Sequence, residues 1–228
     1  MTATSKPYNV ETILGRETLG RFLLSLDAFG SRPAVIFFLE DRQEACSYDQ
    51  LGVICRAVAT HLGNNGIGPG DRVAICAENS PAWIGAAFGA LRLGAVLVPL
   101  DAQFDDDALR YVLNDSGAAA LFIPASGGER MKELVGETDT VLVELDRDWT
   151  ESAGRDDTSS GGRRDAGSPN TGTDETAVLF YTSGTTGEPK GVPLTHRNIL
   201  TEIGVVMNAD IVHAGDCVLL PLPLHHVY

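Results

Sequence analysis

Residues 179–190 read Leu-Phe-Tyr-Thr-Ser-Gly-Thr-Thr-Gly-Glu-Pro-Lys, and this stretch indicates both how the chain folds and what it binds. An apolar run with strand character, residues 177–181, leads into it. Glycine lets the backbone bend and approach a ligand closely, so that backbone N–H groups can converge on an anion. Hydroxyl groups add rotatable donors, and a lysine adds a positive charge. The stretch therefore predicts a phosphate-binding loop formed by Thr182, Ser183, Gly184, Thr185, Thr186, Gly187 and Lys190.

Two other interpretations of this loop are open. It is compatible with an ordinary surface hairpin, since glycine and serine often mark turns. A P-loop, in contrast, requires G-x-x-x-x-G-K-[ST] at the start of a helix. Gly184 and Lys190 have the required separation, but Pro189 occupies the place of the second glycine and Gly191 that of the Ser or Thr. Residues 191–194 also read as an extended segment, so we predict phosphate binding by a loop that is not a P-loop.

The part of the chain before the loop alternates continuous apolar segments with segments of helical periodicity. Residues 72–76 and 95–100 read as buried strands, and Ser80-Pro81 is a typical helix start between them. This alternation predicts an α/β fold with a mostly parallel sheet covered by helices. Residues 82–100 are almost entirely apolar and long enough to suggest a membrane span. Arg92 and the helix stop at Gly94 favour a buried helix and an interior strand instead, so no transmembrane segment is predicted.

The composition changes sharply between residues 146 and 174, where Gly, Ser, Thr, Asp and Arg dominate. Such a segment buries too little apolar surface to offset the entropy of ordering, which predicts a flexible polar linker or insertion. It separates an N-terminal α/β subdomain, residues 1–145, from the phosphate-loop segment, residues 175–228. In that segment we expect a helix capped by Thr195 and running to about Met207, with Val206 facing inward, and then a strand over residues 217–220.

Charge and cysteine content limit the partners of the chain. A formal net charge of −14 repels a nucleic-acid backbone, so no nucleic-acid partner is predicted. Asp105–Asp107 are interpreted as the start of a helix, whose dipole they complement, rather than as metal ligands. The N-terminus lacks an apolar leader, which fits a cytoplasmic protein. Four cysteines show no zinc-like spacing, and the three in apolar segments are expected to be buried free thiols: Cys46, Cys55, Cys76 and Cys217.

The loop and the residues that follow it resemble a known family. Residues 181–192, together with Leu-Thr-His-Arg-Asn at 194–198, are similar to the signature of the adenylate-forming enzymes, and the resemblance extends upstream to about Arg32. This family includes acyl-CoA synthetases, aryl-CoA ligases, luciferases and peptide-synthetase adenylation domains. The resemblance implies that a carboxylate attacks the α-phosphorus of ATP, with Mg²⁺ present, and that a thiol, usually of coenzyme A, then takes the acyl group. It also implies that the loop holds the β and γ phosphates, with Lys190 and Thr185 as catalytic residues.

Residues 222–228, Leu-Pro-Leu-His-His-Val-Tyr, resemble the next motif of the same family. In that motif a histidine borders the pocket for the acyl substrate. His226 takes the histidine position, and His225 stands where an aromatic residue is commoner. Two adjacent solvated histidines at the end of a strand are the alternative. We expect both histidines to bind substrate, at the start of an acyl-binding subdomain.

The details of these motifs resemble fatty-acid–CoA ligases more than peptide-synthetase domains. The adenine, ribose, metal and C-terminal lysine motifs of the family are not found in residues 1–228. We therefore expect an N-terminal part of a longer AMP-forming acid–thiol ligase, inactive in ATP–pyrophosphate exchange by itself. A non-catalytic nucleotide- or partner-binding module of the same fold, which predicts no large exposed apolar surface, remains an alternative. A peptide-synthetase adenylation domain is the other.

Overall fold

The computed structural model describes residues 18–38, 41–136, 138–149, 172–182, 188–213 and 215–226. A short 3-10 helix, Ser25–Phe29, follows the first α-helix. The α-helices are α1 (Leu19–Leu24), α2 (Tyr48–Asn64), α3 (Pro81–Leu93), α4 (Asp106–Ser116), α5 (Gly128–Val135) and α6 (His196–Asn208). The strands are β1 (Pro33–Phe38), β2 (Gln43–Ser47), β3 (Arg72–Cys76), β4 (Val96–Leu100), β5 (Ala118–Ile123), β6 (Val141–Glu144), β7 (Thr176–Thr182) and β8 (Lys190–Thr195).

The central sheet has six strands in the order β6-β5-β3-β4-β7-β8. Every neighbouring pair from β6 to β7 is parallel, and β8 runs antiparallel to β7 at the edge. β1 and β2 form a separate antiparallel pair, as the sequence predicts. The α/β class with a mostly parallel, helix-covered sheet is therefore confirmed.

Helices cover both faces of this sheet, because alternate residues of a strand point to opposite sides. On β3, Val73 and Ile75 belong to one core, which includes residues of α2 and α3. Ala74 and Cys76 belong to the other, which includes residues of α4 and α5. Both faces of the central strands are thus dry, which explains their continuous apolar sequences.

The helix starts follow the capping residues that the sequence provides. The Ser80 hydroxyl accepts a hydrogen bond from the backbone N–H of Trp83, and Pro81 occupies the first turn of α3. The Asp105 carboxylate accepts a 2.8 Å hydrogen bond from the N–H of Ala108, which confirms its interpretation as a helix cap. Residues 82–100 form α3 and β4, as expected. None of the helices in the described part of the chain has the length and apolar character needed to cross a membrane.

Two expectations for the segment after β8 are wrong. Thr195 caps α6 as predicted and Leu200 is buried, but Val206 is 42% exposed because no described element covers that side of the helix. Residues 217–220 do not form a strand. Their backbone has no neighbouring strand among the described residues, and an isolated apolar run cannot satisfy its backbone groups by strand pairing. Val218, Leu219 and Leu220 are instead exposed.

The predicted division into subdomains stays a prediction, because most of residues 146–174 lies outside the described residues. At one end of this interval, Trp149 is buried, and its ring contacts those of Phe122 and His61. At the other end, Arg197 binds Asp174 through two hydrogen bonds of 2.6 and 2.9 Å. Both ends are therefore fixed to the folded part of the chain.

The cysteines are free thiols, and Cys46, Cys55 and Cys76 are buried as predicted. Burial raises the pKa of Cys55 and Cys76 to about 11, so both thiols are protonated near neutral pH. Cys217 lies on the surface.

Candidate functional site

The strand order defines a crevice at one edge of the sheet. From β3 the chain passes through α3 to β4 on one side, whereas from β4 it returns through α4 to β5 on the other side of β3. The connections thus leave the carboxyl ends of β3 and β4 in opposite directions. In open α/β sheets, ligands bind outside the strands at such a switch point. Here it lies after Cys76 and Leu100, the last residues of the two strands.

The side chain of Asn79 links this crevice to the end of the described chain. Its Nδ2 donates a 2.9 Å hydrogen bond to the carbonyl of Leu222, and its Oδ1 accepts a 2.8 Å hydrogen bond from the N–H of Leu224. One amide therefore satisfies both a donor and an acceptor of a segment more than 140 residues away in sequence. This contact places the His225-His226 pair beside the switch point.

Asp101, the first residue after β4, faces the histidines. Its Oδ2 lies 3.6 Å from Nε2 of His225, and its Oδ1 accepts a 2.8 Å hydrogen bond from the N–H of Gln103. The rings of His225 and His226 are tilted by 40°, with their centroids 4.7 Å apart. The predicted substrate residues therefore form one polar group with a carboxylate.

The His225 imidazole is mostly covered, with 12% of its side chain exposed. Burial lowers the pKa of His225, an effect that Asp101 opposes and His226 reinforces. The ring is therefore neutral at pH 7, and one of its nitrogens is available as an acceptor.

The described ends of the phosphate loop lie at the same edge of the sheet. Thr182 ends β7 and is the register partner of Lys190, which begins β8, and both residues are exposed. Ser183, Gly184, Thr185, Thr186 and Gly187 lie outside the described residues. Because Lys190 begins a strand and not a helix, the prediction that this loop is not a P-loop is confirmed.

Strand register relates the loop to the histidines. β4 and β7 are parallel neighbours, and Leu97 lies opposite Val178. Four residues further along each strand, Asp101 comes level with Thr182. The two groups of predicted site residues are therefore brought to neighbouring strand ends, Thr182 and Lys190 at one and the histidines at the other.

Tyr181, the residue before Thr182, is anchored to the body of the domain. Its hydroxyl donates a 2.6 Å hydrogen bond to Oδ2 of Asp115 on α4. Burial, and then this hydrogen bond, raise the pKa of Tyr181 well above its usual value. The tyrosine is thus neutral at all physiological pH values and holds the end of β7 in place.

Asn79 and Asp101 were not among the site residues predicted from the sequence. A signal for both is present, because each is a polar residue that follows a buried parallel strand. Such positions converge at one edge of a sheet, but choosing among them requires knowledge of which strands are neighbours.

The geometry agrees with a family match over nearly the whole chain. The family model described as AMP-binding enzyme matches residues 24–228. The chain belongs to the AMP-binding enzyme family.

Individual relatives are similar over most of this chain. It is 34% identical over 188 residues to the polyketide synthase PksN of Bacillus subtilis (strain 168), which covers 82% of this chain and 3% of PksN. It is 30% identical over 181 residues to the long-chain-fatty-acid–CoA ligase FadD13 of Mycobacterium tuberculosis (strain ATCC 25618 / H37Rv), which covers 79% of this chain and 36% of FadD13. The chain thus spans less than half the length of each of these relatives.

Among solved structures, the fold is similar to that of VinN in its complex with L-aspartate. The TM-score is 0.73 at 23% identity, over 88% of this chain and 50% of VinN. At this identity the likeness concerns the fold alone.

Proposed function

We propose that this chain supplies the triphosphate loop and part of the acid pocket of an ATP-dependent acid–thiol ligase. The whole protein would activate a carboxylic acid as acyl-AMP, release pyrophosphate, and transfer the acyl group to coenzyme A. The observation that carries the proposal is the register of β4 and β7, which brings Asp101 level with Thr182. A nucleotide held after β7 and an acid held beside His226 would then be neighbours at one edge of the sheet.

The first step requires two negatively charged groups to meet. The catalyst must therefore align the reactants and offset their charge. Lys190 provides a mobile positive charge at the start of β8 and, with Thr185, is the proposed catalytic pair. The remaining loop residues would donate hydrogen bonds to phosphate oxygens: Thr182, Ser183, Gly184, Thr186 and Gly187. Each hydrogen bond to a charged oxygen contributes about 1.5–3 kcal/mol, so several together can fix the triphosphate in line.

Mg²⁺ is proposed to enter with the nucleotide, since phosphate oxygens are its preferred ligands. We assign no residue of this chain to that ion. The cytoplasmic location likewise remains a prediction.

His226 and His225 are the proposed contacts of the acid. Asn79 fixes the backbone that carries them, and the neutral His225 ring can accept or donate a hydrogen bond to a carboxylic acid. A fatty acid is the proposed substrate class, in line with the similarity to FadD13.

A peptide-synthetase adenylation domain is the second candidate. The observation that favours it is the 34% identity to PksN, which exceeds the identity to FadD13. ATP–pyrophosphate exchange by the protein that carries this chain, over a panel of fatty and amino acids, separates the two. Exchange with amino acids alone contradicts the fatty-acid assignment.

Binding of Mg²⁺-ATP to residues 1–228, measured by isothermal titration calorimetry, tests the proposed loop. We expect saturable binding that Lys190→Ala weakens by about tenfold or more, which corresponds to one charge-assisted hydrogen bond. Lys132→Ala is the matched control, because Lys132 is exposed on α5 and pairs with Glu129 at 3.2 Å. No ATP binding, or equal losses in the two variants, contradicts the loop assignment.

A further inference from the structure

Three side chains at the switch point have the composition of a transition-metal site. Asp101, His225 and His226 each offer one ligand atom, and these atoms all lie within 4.8 Å of one another. We propose that this Asp-His-His cluster binds a divalent ion of the Zn²⁺ class. The site is distinct from any Mg²⁺ that accompanies ATP, and it does not depend on nucleotide binding.

The distances are close to those of a bound site. Zn²⁺ lies about 2.0–2.2 Å from imidazole nitrogen and carboxylate oxygen, so two ligand atoms of a tetrahedral ion are roughly 3.3–3.6 Å apart. His225 Nε2 and Asp101 Oδ2 already lie 3.6 Å apart. The His226 ring is 4.7 Å from that of His225 between centroids, so a rotation of the ring brings its nitrogen into range.

The ligand types select the metal. Two imidazoles and one carboxylate suit Zn²⁺ and neighbouring transition metals, whereas Mg²⁺ and Ca²⁺ prefer oxygen ligands. Three protein ligands leave one position of a tetrahedral ion open, as in zinc sites that bind water or an external ligand.

The surroundings hold the ligands in place. The N–H of Gln103 binds Oδ1 of Asp101 and leaves Oδ2 directed at His225. Asn79 fixes Leu222 and Leu224 through two hydrogen bonds, immediately before the histidines. Such outer contacts orient ligands in metal sites, and their loss typically lowers affinity about 10–100-fold.

The test is a Zn²⁺ titration of tag-free, chelator-treated protein by isothermal titration calorimetry. All variants carry Cys217→Ser, because the exposed thiol of Cys217 is itself a zinc ligand. We expect one ion per chain. Asp101→Asn and His225→Gln should each weaken binding about tenfold or more, and Asn79→Ala should have an effect in the 10–100-fold range of outer contacts.

His213→Gln is the matched control. His213 also lies beside two carboxylates, with nitrogens 3.3 Å from Asp216 and 3.7 Å from Asp210, but on the exposed surface. Its loss should leave Zn²⁺ affinity unchanged. Circular dichroism of each variant establishes that it folds, and NMR signals of the His225 and His226 rings should shift on addition of Zn²⁺ to the protein with native histidines.

The proposal is overturned if the protein shows no saturable Zn²⁺ binding. It is also overturned if binding persists in His225→Gln and disappears in His213→Gln, or if Zn²⁺ leaves the ring signals of His225 and His226 unmoved. The NMR measurement decides the question even if a variant fails to fold.

Discussion

Tyr181 illustrates how a single residue holds the end of β7. Its hydrogen bond to Asp115 spans the distance between the sheet and α4. Because the pair is partly exposed, we expect Tyr181→Phe to lower the free energy of unfolding by about 0.5–1.5 kcal/mol. Urea unfolding of the wild type, Tyr181→Phe, Asp115→Ala and the double variant gives the coupling between the two side chains.

The same pair carries a pH dependence whose sign is fixed. The pKa of Tyr181 is raised in the folded state, so its contribution is fully present below the unfolded value of about 10. Above that pH the unfolded tyrosine loses its proton and the contribution declines. The stability difference between wild type and Tyr181→Phe should therefore shrink between about pH 8 and about pH 11. A difference that stays constant or grows over this range contradicts the role of the hydrogen bond.

At the scale of elements, the contact of α2 with α3 depends on glycine. A Cβ atom at Gly89 would lie 2.7 Å from Cβ of Val58 and 2.8 Å from the carbonyl oxygen of Cys55. Both neighbours are buried and one is backbone, so neither can move easily. We expect Gly89→Ala to lower the free energy of unfolding by about 1–3 kcal/mol.

Gly63 provides the control for this substitution, since it lies in α2 with nothing within 4 Å of an added Cβ. There alanine should stabilise the helix by about 0.5–1 kcal/mol. Opposite signs in denaturant unfolding would establish that close helix packing, and not helix propensity, governs Gly89. A neutral or stabilising Gly89→Ala would show that the two helices separate without cost.

The same scale shows what the sequence could predict about elements. Ser80, Asp105 and Thr195 identify helix starts because capping is a local contact between a side chain and the backbone next to it. The apolar residues 217–220 were mistaken for a strand, because pairing depends on a neighbour that local sequence does not identify. Val206 was placed inward for a similar reason, since helical periodicity shows a face but not what covers it.

At the scale of the whole molecule, the candidate site follows from strand order. The phosphate loop could be predicted because its glycines, hydroxyls and lysine are consecutive. Asn79 and Asp101 could not, because their proximity to His225 arises only when β3 and β4 lie side by side and the chain returns to them from residue 222. Contacts over such separations are set by topology, which apolar periodicity leaves open.

The molecule also exposes apolar side chains close to this site. Val218, Leu219 and Leu220 are 67%, 77% and 57% exposed, and Ile211 is 69% exposed. The interpretation of the chain as a self-sufficient binding module predicts no such surface. Large exposed apolar patches usually mark contact sites or cause association.

We therefore expect residues 1–228 to self-associate despite a net charge of −14, which opposes contact between copies. Sulfate should promote association, because it strengthens the burial of apolar surface. A variant with Val218→Ser, Leu219→Ser and Leu220→Ser should shift towards monomer in sedimentation velocity. Phe38→Ser, which removes a similarly exposed side chain from β1, should associate like the wild type. A wild type that is monomeric at every concentration, or a triple variant that associates equally, would show that residues 218–220 do not drive association.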